Sequence, residues 1–261
     1  MKRASDAHVA VICAMDSEAV HLRGRLAGPS EEPMSRWRRT RGRIGGERVD
    51  VIVSDIGLVN AAAATSALCA LERPFVILNY GCAGAHRDDI ALGDVVIASE
   101  VVHFTSQIVL PDGTRRYWGF NYLASGRRTR EEHIPADPEL LSAARAVSSN
   151  IAIPAWPGRD VTPAVHVGTV GSADVWTQHG DSILELHTLH GSLCEEMEAA
   201  AIAQVAAIHG VPFLAVKDIS NNELHAFTDL LSEGGSVLAH VEEEVGRRAA
   251  TVVEALIRTL G

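Results

Sequence analysis

Carboxylates stand at two places where a short apolar run gives way to small and polar residues. Cys13-Ala14-Met15-Asp16-Ser17-Glu18 follows the run 9–14, and Cys194-Glu195-Glu196-Met197-Glu198-Ala199 packs three acids into four positions. Acids brought together in this way can move protons, hold sugar hydroxyls or stabilise a cationic sugar. Like charges this close repel, and burial would push their pKa values up. The same acids would also suit the first turn of a helix, where the dipole favours them, so the residues alone leave both readings open.

Three further stretches have the character of site loops. Ser54-Asp55-Ile56-Gly57-Leu58-Val59-Asn60 and Asn79-Tyr80-Gly81-Cys82-Ala83-Gly84-Ala85 are rich in small residues, and Phe213 to Asn222 is an apolar run ending in Lys217-Asp218-Ile219-Ser220-Asn221-Asn222. Glycine lets backbone approach a ligand closely, although a plain tight turn accounts equally well for the first two. Neither matches a phosphate loop or a spaced dinucleotide fingerprint.

The elements that must position these groups alternate. Apolar runs at 9–14, 75–78, 94–99, 165–170 and 213–219 predict strands. Helical patterns are predicted at 16–26, 60–71, 137–148, 198–208 and 237–260, the third opened by Asp137-Pro138. The segments 36–43 and 49–54 around Gly45-Gly46 predict a hairpin. Alternating strand and helix imply an α/β fold with a largely parallel central sheet, in one domain over 1–261, since no linker or repeat divides it. The segment 103–133, with Tyr117, Trp118, Phe120, Tyr122 and five arginines, is expected to be a long structureless insert that is functional or an interface.

Composition narrows the classes. The 261 residues are 47% hydrophobic and carry a formal net charge of -10, which disfavours nucleic acid as a partner. No run approaches the roughly 20 apolar residues of a membrane span, and the start is too short in apolar residues for a signal sequence. Cys13, Cys69, Cys82 and Cys194 lie far apart with no CxxC pair, which reads as reduced thiols in a cytoplasmic protein without a metal site.

In order along the chain, the five stretches resemble the nucleosidase branch of the nucleoside phosphorylase type-I family, the methylthioadenosine/S-adenosylhomocysteine nucleosidases, with Glu196-Met197-Glu198-Ala199 the most specific piece. The resemblance implies a single α/β domain around a mixed, partly barrel-like sheet flanked by helices. It also implies a homodimer in which the partner's segment 103–133 completes the 5′ end of the pocket, and a metal-free, cofactor-free hydrolysis of a purine nucleoside. On it, Glu18 is the water-activating base and Glu198 the ribose anchor. Met15, Glu196 and Met197 adjoin the sugar, and Ile56 and Gly57 lie beneath it. Cys82, Ala83 and Gly84 stand near the ligand, Trp176 faces the purine, Ser220 and Asn221 read it, and Phe227 closes the site. Asp16 and Glu18 would repel phosphate, so hydrolysis is favoured over phosphorolysis. The basic run Arg36, Arg38, Arg39, Arg41, Arg43 keeps phosphate as an option, although its alternation suits a solvated hairpin face.

One position departs from the pattern. Adenosine-cleaving relatives end the fifth stretch in Ser-Asp, whereas this chain has Ser220-Asn221. An amide cannot act as a general acid but donates and accepts at once, which suits a 6-oxopurine such as that of inosine or futalosine. Asp218 and Glu223 are candidates to replace the missing acid. A 5′-modified adenine nucleoside is the first expectation and a 6-oxopurine nucleoside the second. A phosphorylase and a binding-only protein follow.

Overall fold

The computed structural model describes residues 7–226, 228 and 241–261. In chain order the elements are β1 (His8–Cys13), α1 (Asp16–Arg23), β2 (Ala27–Met34), β3 (Trp37–Ile44), β4 (Glu47–Val53), α2 (Leu58–Leu71), β5 (Val76–Ala85) and β6 (Val95–Val102). Then come β7 (Gln107–Val109), β8 (Arg115–Tyr117), β9 (Phe120–Ala124), β10 (Arg127–Glu131), β11 (Ile134–Pro135) and α3 (Pro138–Ser148). The last are β12 (Val165–Ser172), α4 (Gly180–His190), β13 (Ser192–Glu196), α5 (Ala199–His209), β14 (Phe213–Asn221) and α6 (Arg247–Ile257).

Strand β1 shows why its sequence has no polar alternation. Val9, Val11 and Cys13 enter one apolar cluster with Ala19 and Leu22 of α1, Leu140 of α3 and Val252 of α6. Ala10 and Ile12 enter the other, with Ala61 and Leu68 of α2 and Ile202 of α5. Successive side chains point to opposite faces, and helices cover both, so every position must be apolar.

The sheet is mixed and partly closed. β6 pairs with β12, β12 with β13, β13 with β5, β5 with β14, and β14 returns to β6, so five strands form a ring. From β5 the sheet runs outward through β1, β4, β3 and β2. The expected α/β class and barrel-like character hold. The sheet is mixed, as expected: the β1–β4, β1–β5, β5–β14, β6–β12 and β12–β13 pairs are parallel, and the β5–β13 and β6–β14 pairs that complete the ring are antiparallel, as are the β2–β3 and β3–β4 pairs.

Several boundaries depart from the sequence expectations. Asn79 to Ala85 is not a turn but the second half of β5, and β2 and α4 form where no element was expected. The segment 103–133 is not structureless: β7 pairs with β8 and β9 with β10 in two hairpins. Their turns are Asp112-Gly113 and Ser125-Gly126, with φ of 85° at Gly113 and 75° at Gly126, the left-handed conformation that tight hairpins require. Of the expected closing helix 237–260, residues 237–240 lie outside the described residues, 241–246 form turns, and α6 starts at Arg247, its first turn fixed by Asp218, which accepts from the backbone N–H of Gly246 at 2.9 Å and of Arg248 at 3.0 Å. Helix α3 starts as expected, Asp137 accepting from the N–H of Glu139 and Leu140 ahead of Pro138 at its first turn. No helix of the described residues is long and apolar enough to cross a membrane.

Candidate active site

The carboxyl ends of β1, β4, β12, β13 and β14 converge with the second half of β5 on one open cleft of about 580 Å³ including its mouth. Ligands of open α/β sheets bind in this position.

Glu18 sits on the cleft wall, 2% exposed. One of its carboxylate oxygens accepts from the backbone N–H of Ala14 at 3.0 Å and of Met15 at 3.1 Å, and the other from the N–H of Cys82 at 2.9 Å. Both sequence readings of this residue therefore hold together, since Glu18 caps α1 by reaching back to Met15 and also faces the cleft. A carboxylate has about four lone-pair directions; three are taken by the backbone, and one is left for a ligand. Gly81 is required for this placement, because a Cβ there would collide with the Glu18 carboxyl.

Glu198 enters from the start of α5. Its Oε1 accepts from the N–H of Gly57 at 3.0 Å, which ties the turn after β4 to the cleft. Burial first, then the charges of Glu196 and Glu18, push its pKa up to about 8. The three neighbouring acids do not share one environment. Glu196 pairs with Lys217 Nζ at 2.7 Å and accepts from the N–H of Glu198 and Ala199. Glu195 turns toward Thr177, accepting from its N–H at 2.6 Å and its hydroxyl at 2.8 Å, and meets His86 Nε2 at 3.2 Å. In this way Glu195 anchors the segment that carries Trp176. Lys217 is 1% exposed and stands 4.0 Å from Glu198. Burial alone would lower its pKa, but Glu196, Glu198 and Glu18 together hold it raised.

At the other end of the cleft, Ser220 and Asn221 close β14. The Ser220 hydroxyl donates to Asn221 Oδ1 at 3.0 Å, and Asn221 Nδ2 donates to Glu223 Oε1 at 3.0 Å. Gly84 lies directly beneath, where a Cβ would come within 3.0 Å of Nδ2. The Cys82 thiol is held protonated, first by burial and then by the charge of Glu18.

Met15, Glu18, Ile56, Cys82, Ala83, Gly84, Trp176, Glu196, Met197, Glu198, Ser220 and Asn221 are thus brought to one cleft. Gly57 joins through its N–H to Glu198, and Phe227 lies outside the described residues. Asp218 does not line the cleft with Asn221; it is buried under α6. Sequence reasoning assigned no role to Lys217. The available signal was a lysine inside an apolar strand, since lysine is almost never buried unpaired. It also missed Ala14 and Val175 on the cleft wall and Asp174, which accepts from the N–H of Leu58 at 2.7 Å and so caps α2. The basic hairpin run is only partly solvated. Arg39 and Arg41 are consumed by Asp50 and Glu72, at 2.7 to 3.0 Å, and do not line the cleft.

This fold and cleft define a member of the Phosphorylase superfamily, whose family profile matches residues 8–259. A 5′-methylthioadenosine/S-adenosylhomocysteine nucleosidase of Maridesulfovibrio salexigens is 30% identical over 97% of this chain and 98% of its own length. One from Anoxybacillus flavithermus is 30% identical over 82% of this chain and 85% of its own. The S-adenosylhomocysteine nucleosidase of Streptococcus pyogenes, solved with 5-methylthiotubericidin, shares the fold with a TM-score of 0.78 at 22% identity over the whole of both chains. A futalosine hydrolase mutant of Helicobacter pylori shares it with a TM-score of 0.78 at 18% identity, over 97% of this chain and 99% of its own. The chain belongs to the 5′-methylthioadenosine/S-adenosylhomocysteine nucleosidase family, and is an enzyme of that glycosidase class.

Proposed function

We propose that the chain hydrolyses the N-glycosidic bond of a 5′-modified purine nucleoside of the methylthioadenosine and S-adenosylhomocysteine class, releasing the free base. The observation that carries this is the Glu18 carboxylate, fixed by three backbone N–H groups with one lone pair open to the cleft. Such a group accepts a proton from a water molecule without having to reorganise. The water oxygen bonds to C1′ as the C1′–N9 bond breaks, and the bond pair passes to the purine, which takes up a proton from solvent. Glu18 takes the water's proton and later returns it to solvent.

Glu198 suits the sugar. Burial and the charges of Glu196 and Glu18 raise its pKa to about 8, which favours the protonated form at neutral pH. A ribose that gains positive charge beside it favours the ionised form again, so the stabilisation grows as the bond breaks. The engaged guanidinium groups of Arg39 and Arg41 support water over phosphate as nucleophile. A second reading, a 6-oxopurine substrate, is supported by the Asn221 amide on the cleft wall.

We infer also a homodimer in which the hairpins of 103–133 complete the neighbour's 5′ pocket. It is supported by exposed apolar side chains, Val109 and Leu123 on the hairpins and Val59 on α2, beside an apolar groove between α2 and α5. Four free cysteines support a reducing, cytoplasmic setting.

The test is base release from methylthioadenosine and S-adenosylhomocysteine in phosphate-free buffer. Glu18→Gln is expected to lower turnover by about 10²- to 10⁴-fold while nucleoside binding persists. Unchanged turnover in that variant overturns the assignment.

A further inference from the structure

Between the end of β12 at Ser172 and the start of α4 at Gly180 the chain has neither helix nor strand, yet it carries Val175 and Trp176 on the cleft wall. Holding such a stretch in one conformation costs entropy, so something must tie it down. Among the described residues, the backbone N–H groups of 174–178 make one hydrogen bond within the protein, from Thr177 to Glu195 Oε1 at 2.6 Å. The Thr177 hydroxyl donates to Glu195 Oε2 at 2.8 Å. Both donors of one residue are thus gripped by the two oxygens of one carboxylate. That fixes residue 177 and the path by which the chain leaves Trp176.

Glu195 is itself held from behind. It stands on β13, buried, and Oε2 also accepts from His86 Nε2 at 3.2 Å. His86 Nδ1 meets the Ser192 hydroxyl at 2.8 Å. His86 and Ser192 are both buried, so the imidazole cannot turn without breaking both bonds away from water. At the other end of the segment, the Trp176 indole donates from Nε1 to Glu223 Oε1 at 3.2 Å. Trp176 is therefore held at two points, through its neighbour's backbone by Glu195 and through its ring by Glu223.

The residues assigned above to water and sugar, Glu18 and Glu198, take their own positions from other backbone groups. The Glu195 clamp acts on the work a ligand must do instead. A wall already in place spares the ligand the cost of ordering it. Such a gain applies equally before and during bond cleavage, so it lowers KM without raising kcat.

We propose that Glu195, backed by His86, is a positioning residue that pre-organises the Trp176 wall of the cleft and so sets nucleoside affinity rather than the rate of bond cleavage. The kinetic consequence rests on the nucleosidase reading above; the ordering of Trp176 does not.

The kinetic test uses 5′-methylthioadenosine. Glu195→Ala is expected to raise KM about 10- to 100-fold, the worth of one or two hydrogen bonds to a charged group, while kcat falls by no more than about threefold. Glu195→Gln keeps an acceptor for the Thr177 N–H and can donate to the Thr177 oxygen, so it is expected to recover most of the affinity. Thr177→Val removes the hydroxyl bond and keeps the N–H. It should raise KM by less, about two- to fivefold, and it carries the test if Glu195→Ala does not fold. The second measurement is acrylamide quenching of fluorescence, taken as the difference between each protein and its Trp176→Phe counterpart so that the other tryptophans cancel. Trp176 is expected to become more quenchable in Glu195→Ala and to stay shielded in Glu195→Gln. Unchanged KM and unchanged quenching in Glu195→Ala and Thr177→Val overturn the proposal. A fall in kcat with KM and quenching held also overturns it and puts Glu195 in the chemical step. Failure of the intact protein to release base from methylthioadenosine would count against the nucleosidase reading, and the quenching difference would still decide the clamp.

Discussion

Two clusters of buried charge in this molecule are built to opposite specifications. On the β3–β4 hairpin, the guanidinium groups of Arg39 and Arg41 meet Asp50, Glu72 and Glu32 at 2.7 to 3.4 Å. Burial alone would raise the pKa of Glu72, but Arg41 and Arg39 hold it down at about 2. At the cleft, Lys217 is the cation set against Glu196 and Glu198, with Glu18 contributing to the same field, and Glu198 stands at about 8. The hairpin is close to electrically satisfied, whereas the cleft is short of positive charge. That shortage is what a site needs if its ligand is to supply the missing cation during reaction.

The largest effect that would break this contrast is expected from Lys217→Met. Removing one partner of a buried pair leaves Glu196 uncompensated, at a cost of about 3–5 kcal/mol. Urea denaturation should show this loss, and a change below about 1 kcal/mol would mean the acids are already neutral without the lysine.

Next come the pH dependences, which should have opposite signs. The folded protein binds a proton on Glu198 up to about pH 8, well above the ordinary glutamate range. Its contribution to stability is therefore full at low pH and is lost as pH rises from about 4.5 through 8. Asp218, raised to about 7 first by burial, adds a slope of the same sign. Thermal melts between pH 5 and 8 should fall with pH, and Glu198→Gln should flatten part of that fall while the Asp218 part persists. Glu72 runs the other way. Its contribution is full above about pH 4.5 and is lost as pH falls toward 2. Glu72→Gln should flatten the acid limb of a stability profile taken from pH 5 to 2; an unaltered limb would assign acid sensitivity elsewhere.

The smallest effect is expected from Arg38→Ala. Arg38 shares the hairpin's basic run, but its 3.6 Å contact with Glu31 is solvent-exposed on both sides. Its loss should cost no more than about 1 kcal/mol by urea denaturation, and a larger cost would extend the satisfied cluster to the outer face of β3.

What the sequence made legible follows from local physics. The strand 9–13 could be read because both its faces are buried, and α3 because Asp137 and Pro138 act on their own helix. The cleft residues could be found because they sit at strand ends. Asn79 to Ala85 was misread because its small residues answer to a distant side chain: Gly81 makes room for Glu18, and Gly84 for Asn221. The alternating arginines of β3 read as a solvated face because their acceptor Glu72 lies on α2's far end, 31 residues from Arg41. Lys217 offered only the signal of a lysine inside an apolar strand, and its role could not be read from it because its partners Glu196 and Glu198 lie on other elements.

The five-strand ring has a consequence for how the protein comes into being. Its closure brings together residues far apart in sequence, as in the contact of Ala83 on β5 with Ser220 on β14, separated by 137 positions. Contacts of such long range form late, because chain entropy must be spent before they return anything. The walls of the cleft are the same strand ends that complete the ring. A chain still being synthesised has no partial version of this site to misuse, and the appearance of activity in a refolding chain reports the completion of its topology.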